Sequence, residues 1–155
     1  MDASHVAAFE QRAANFLAPY LDPSPWSAQQ LLDALRPQDE DWGRVFQPDW
    51  VEAARAGFAP MWEEPALPGV NPGQSRVRIT AIATGAMLGE PGPMSDRFPG
   101  GYRRIAHTLL PGPVWLCWSF THPDETRGMA HNGLVAVAPD RWAWFPKPWR
   151  ALRPH

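Results

Sequence analysis

The sequence predicts an α+β fold: about three N-terminal helices packed on a largely antiparallel sheet of about five strands. Two regimes of apolar spacing predict it. As far as Trp62, apolar residues recur at three- and four-residue intervals; from Arg76 onward they alternate. Between the regimes lies a proline- and glycine-rich crossing, residues 65–75, P-A-L-P-G-V-N-P-G-Q-S. At 155 residues, with 45% hydrophobic and 19% charged side chains, the chain suits one globular domain, 1–155, divided into a helical layer (1–64) and a sheet layer (76–150).

Val6, Phe9, Ala13 and Leu17 mark an amphipathic helix from Ser4 to Ala18 that should stop before Pro19. A linker, Asp22-Pro23-Ser24-Pro25, follows. The next helix starts either at Ser24, with Pro25 in its first turn, or at Ser27, with Gln30 completing a capping box. Its apolar face is Trp26, Leu31, Leu32 and Leu35, and Pro37 ends it. A third helix runs from about Pro48 towards Trp62 on a stripe of Trp50, Ala54, Phe58 and Met61, with Pro60 kinking or ending it.

Arg76–Ala83 alternates as a strand, and residues 84–101 read as a long loop with at most one helical turn. Two hairpins should follow. In the first, Tyr102–Leu110 pairs with Pro113–Phe120, so Ile105, His107, Leu109, Val114, Leu116, Trp118 and Phe120 share one face. In the second, Gly133–Ala138 pairs with Arg141–Phe145, setting Val135 and Val137 opposite Trp144 and Trp142. Both faces of such a sheet are apolar. The helices cover one; the other needs the kinked helix, the long loop, a second chain or a ligand. At the level of fold alone, this layout resembles the cone-shaped NTF2-like domains, which include both enzymes and binders.

Composition narrows function by exclusion. The single cysteine, Cys117, rules out an internal disulfide framework and reads as a small buried hydrophobe. The opening M-D-A-S-H-V-A-A-F-E is not a basic-then-apolar leader, and the longest uncharged run is broken by Pro111 and Pro113, so a cytoplasmic location away from membranes is expected. Thirteen arginines against one lysine, with 19 prolines, is a bias that a GC-rich bacterial genome produces. Residues 1–64 carry 11 acids and 4 bases, and residues 65–155 carry 5 acids and 10 bases: −7 and +5, summing to the chain's −2. An acidic helical layer complementing a basic sheet explains this more simply than an anionic partner does. The net charge also argues against nucleic acid, although Arg76, Arg78, Arg103, Arg104, Arg141, Lys147 and Arg150 interleave with tryptophans.

Phosphate-loop, dinucleotide, zinc-protease and serine-hydrolase motifs are absent. Two functional expectations remain. The first is a non-catalytic binding or interaction module whose aromatic sheet face takes a small apolar ligand or a protein partner, self-association included; its residues would be Arg103, His107, Trp118, Trp142 and Trp144. The second is a small enzyme using His107, His122 or His131 with Asp124 or Glu125 as acid–base groups, roofed by residues 84–101. No cofactor or metal is expected, since no histidines share a ligand spacing. The polar loop Thr121–Gly133 is a candidate position for function. The tail Phe145–Arg150, only weakly like a polyproline ligand, should dock on its own domain.

Overall fold

The computed structural model describes residues 3–22, 25–83, 100–124 and 128–152. The expected loop 84–101 therefore lies outside the described residues except for its last two positions, as do Ser24 and Glu125. The fold is α+β, with six α-helices and a four-stranded antiparallel sheet among those residues. In chain order these are α1 (Ala3–Leu21), α2 (Ala28–Leu35), α3 (Asp39–Val45), a 3-10 turn (Pro48–Trp50), α4 (Val51–Glu63), β1 (Arg76–Ala83), α5 (Gly101–Ile105), a second 3-10 turn (Ala106–Thr108), β2 (Val114–Thr121), β3 (Met129–Ala138), β4 (Arg141–Trp144) and α6 (Pro148–Ala151).

The helical layer keeps the predicted periods, and α2 stops before Pro37 as expected, but α1 overruns its predicted stop. α1 runs through Pro19 to Leu21. Its last turn is anchored by buried Tyr20, whose hydroxyl donates to the Leu31 carbonyl of α2 at 2.7 Å. α2 begins with the Ser27/Gln30 capping box: the Gln30 N–H donates to Ser27 Oγ (3.0 Å) and the Ser27 N–H to Gln30 Oε1 (3.1 Å). Leu31 and Leu35 are buried, while Trp26 stays half exposed. Arg36, before Pro37, is extended, the conformation that a following proline favours. α3 was not foreseen. Its first turn carries Asp39, Glu40 and Asp41, which suit a helix N-terminus. α4 continues past Pro60 because Trp62 beyond it is buried on the Trp144 ring (6.4 Å), which offsets a lost hydrogen bond and ring clash of about 3 kcal/mol.

The sheet is a meander, β1-β2-β3-β4. The predicted first hairpin is not formed. Residues 101–105 are helical and 106–108 form a 3-10 turn, so the fifth strand is missing and β2 pairs with β1 instead, Ile79 opposite Trp118. The physical reason is spacing: Tyr102, Ile105, Ala106 and Leu109 are the buried set and Arg103, Arg104 and His107 the exposed one, which is a helical period and not an alternating one. The predicted division of β2 does survive. Leu116, Trp118 and Phe120 are buried on one face, and the other carries fully buried Trp115 with partly buried Cys117 and Ser119.

The second hairpin forms with a changed register. Ala138 sits opposite Arg141 as expected, but Ala136 then faces Trp142 and Leu134 faces Trp144, because the ladder skips Val137. A second irregularity lies at Gly133. Leu116 pairs with Leu134 and Cys117 with Asn132, so Gly133 is the extra residue of a bulge. Its φ of +93° favours glycine, and a Cβ there would stand 2.3 Å from the Phe145 carbonyl oxygen.

Both sheet faces are covered by the chain's own helices. On one, Trp142 packs against Phe9 and Phe16 of α1 (5.4 and 5.7 Å), and Trp144 against Trp62. On the other, Trp115 meets Phe46 (6.4 Å) and Tyr102 (5.4 Å). Phe145 sits among Trp42, Phe46, Phe58 and Trp115 at 5.2–6.0 Å, mostly edge to face. Trp149 folds back onto Tyr102 at 5.1 Å, as the tail was expected to do.

The layers are also joined by charge. Asp41, fully buried, receives both guanidinium nitrogens of Arg141, with Glu40 at 3.5 Å from the same group. The acidic helical layer thus neutralises a cation of the basic sheet layer. Removing the cation alone leaves the buried carboxylate with only the Gln38 N–H at 2.7 Å and the more distant Arg44 at 3.8 Å. Arg141→Met is expected to cost about 3 kcal/mol in urea unfolding, and the double change Asp41→Leu/Arg141→Met to recover most of it. A single-variant loss below about 1 kcal/mol would show that the pair is not structural.

Candidate functional site

The sequence-predicted residues do not gather at one place. His107 is exposed on the second 3-10 turn, its ring against Trp50 at 5.5 Å. Arg103 is exposed on α5. Trp142 is buried beneath α1. His122 lies just past β2 with its ring over Gly73, and Asp124 is exposed on the turn beyond it. No group of three His, Cys, Asp or Glu side chains that could hold a metal occurs among the described residues. Three of the predicted residues do meet: Trp118 touches His131 (5.3 Å) and Trp144 (6.3 Å).

His131 and Trp144 border an open groove of about 670 Å³. Its apolar wall is Phe58 and Met61 from α4 and Leu67 from the crossing segment. Opposite stand His131 and Asn132 from β3, with Lys147 and Arg150 closing one side. The sequence builds this space in three steps. Pro65, Pro68 and Pro72 keep the crossing segment from becoming helix or ladder, so it passes over the β3 start as a strap. The bulge at Gly133 re-aims β3. α6 packs so closely on α4 that a Cβ on Gly57 would lie 2.1 Å from the Ala151 carbonyl oxygen.

Hydrogen bonds fix the groove's polar side. The His131 Nε2–H donates to the Gly69 carbonyl at 2.7 Å, tying strap to sheet. Burial pulls the His131 pKa below its ordinary value of 6.5; the Gly69 bond works against this and nearby Lys147 reinforces it. The ring is therefore neutral at pH 7, with its proton on Nε2. Asn132 is the second fixed point. Its Oδ1 accepts from the Tyr102 hydroxyl (2.9 Å) and from the Lys147 backbone N–H (2.8 Å), and its carbonyl accepts the Trp144 indole N–H (2.7 Å). Lys147 has φ +48°, in the left-handed region, a conformation costing about 1–2 kcal/mol for a residue with a Cβ. Cys117 is set apart from this chemistry: burial pushes its thiol up to about 12, so it stays protonated and inert, as its strand position predicted.

Sequence reasoning missed Met61's groove role, Leu67 and Asn132, and it named Lys147 and Arg150 only within a wider set of cations interleaved with tryptophans. One signal was available, since Asn132-Gly133 inside an apolar run marks a bulge. The rest became neighbours only through folding. No family model, curated protein or solved structure matches the chain. No helix among the described residues is long and apolar enough to cross a membrane.

Asn132→Ala removes an acceptor from the buried Tyr102 hydroxyl and from the Lys147 N–H; urea unfolding should show a loss of about 2 kcal/mol, most of it restored in Asn132→Asp. His131 binds its proton less tightly folded than unfolded, so the unfolded state takes up more protons as the pH falls. Stability should drop between pH 6.5 and the lowered folded value, and His131→Gln should flatten that part of the pH profile. An unchanged slope would mean that His131 is not buried as described.

Proposed function

We propose that this protein is a non-catalytic binding domain that takes a small apolar ligand in the groove between α4, the 64–69 strap and the start of β3. The observation that carries the reading is the groove itself: about 670 Å³, apolar on the Phe58–Met61–Leu67 side, polar at His131 and Asn132, and within the roughly 300–1,000 Å³ of small-molecule sites. The location differs from the broad aromatic sheet face anticipated from sequence. Much of that face is packed under helices, and of its tryptophans Trp144 is the one that lines the groove.

A catalytic alternative has one favourable observation: His131, neutral at pH 7, stands on the groove wall with Glu64 lining the same space. Its strap hydrogen bond gives the ring a structural role in either case.

Calorimetric titration with the neutral probe naphthalene-2-carboxamide tests the binding reading. Saturable one-to-one binding is expected. Met61→Glu, which places a charge on the partly buried apolar wall, should weaken it at least about tenfold (1.4 kcal/mol) while leaving the far-ultraviolet circular dichroism unchanged. Binding that ignores Met61→Glu would place the ligand elsewhere.

A further inference from the structure

One side of the groove is built from cations that serve no ion pair among the described residues. Arg44, Arg55 and Arg141 are each bridged to carboxylates. Lys147 and Arg150, both exposed, have no such partner among the described residues. Among the described residues they line the groove together with one carboxylate, Glu64.

Lys147 is held in place at a cost. Its backbone is left-handed, its N–H is fixed on Asn132 Oδ1, and the same oxygen is braced by the buried Tyr102 hydroxyl. Glycine would adopt this conformation without strain and could keep the same hydrogen bond. The chain places its only lysine there instead. What lysine adds over glycine at that position is a cation beside the groove, and over-determined strain of this kind concentrates at ligand clamps.

Resting on the groove reading above, we propose that the ligand is a monoanion: an aromatic or branched apolar body bearing a carboxylate, which Lys147 and Arg150 bind together. The charge balance selects the carboxylate. Two cations less Glu64 leave one net positive charge, and His131 adds none at pH 7 because burial and Lys147 both keep it neutral. That matches a carboxylate and falls short of a phosphate dianion. The apolar body faces Met61, Leu67 and Trp144.

The test compares isosteric probes on the full chain by calorimetry at pH 7 and low salt: naphthalene-2-carboxylate, naphthalene-2-carboxamide and 2-naphthyl phosphate. The carboxylate should bind about tenfold more tightly than the amide, the scale of charge-assisted hydrogen bonds. Lys147→Gln/Arg150→Gln should bring the two to parity without changing the amide's Kd, and added salt should weaken the carboxylate alone. Equal affinity of carboxylate and amide in the unaltered protein would overturn the anion assignment and leave the groove reading intact. Failure of both to bind would remove both readings. A carboxylate preference that survives the double substitution would overturn the role of these two cations, and a phosphate tighter than the carboxylate would overturn the monoanion. Both substituted residues are exposed, so an unchanged thermal melt confirms that the variant is folded.

Discussion

The contact between Gly133 and Phe145 organises the sheet and the groove together. The Phe145 N–H donates to the Gly133 carbonyl at 2.7 Å, and the Phe145 carbonyl approaches so closely that no side chain fits at position 133. From this contact Phe145 is delivered into the ring cluster of Trp42, Phe46, Phe58 and Trp115, where α3 and α4 meet the sheet. The chain beyond Phe145 is then aimed at Asn132, where Lys147 is caught. A residue with a Cβ at position 133 would disturb strand register, core and groove rim at once, because one backbone approach serves all three.

The aromatic density has a cost in unpaired donors. The indole N–H groups of Trp62, Trp115 and Trp118 are buried without an acceptor among the described residues, each costing about 1–3 kcal/mol. Trp144 escapes this through the Asn132 carbonyl. The large apolar area of each ring and its edge-to-face neighbours offset the loss, so the tryptophans act as layer-joining core residues. Their abundance in the sheet half therefore reports how the layers are glued. The functional hint lies in the narrower question of which ring borders open space, and Trp144 does.

Charge follows the same division between structure and binding. The acidic residues 1–64 and the basic remainder are partly reconciled inside the molecule, where Arg141 enters the Asp41–Glu40 site and Arg44 reaches the Val137 carbonyl at 3.4 Å. Cation–π contacts of Arg12, Arg36 and Arg55 with Phe9, Trp62 and Trp42 absorb more of the arginine content. Lys147 and Arg150 are left at the groove after these internal pairings are made.

The sequence by itself determined what depends on local spacing. It contained the α+β class, the α2 capping box, β1 at Arg76–Ala83, the two-faced division of β2, the inert Cys117 and the tail's return to its own domain. Tyr102–Leu110 misled because a short segment with few apolar residues fits two periods, and only burial against Trp115 and Trp149 selects the helical one. The stop at Pro19 failed because tertiary burial of Tyr20 outweighs a single lost hydrogen bond, whereas the helix expected to run towards Trp62 does reach Glu63. Register and site were decided by tertiary structure alone. The bulges at Gly133 and Val137 shift pairing by one residue, and the groove joins side chains from positions 58 to 150. Spacing along a chain carries no information about which distant backbones will meet; that is set when the ring cluster closes and the two layers lock.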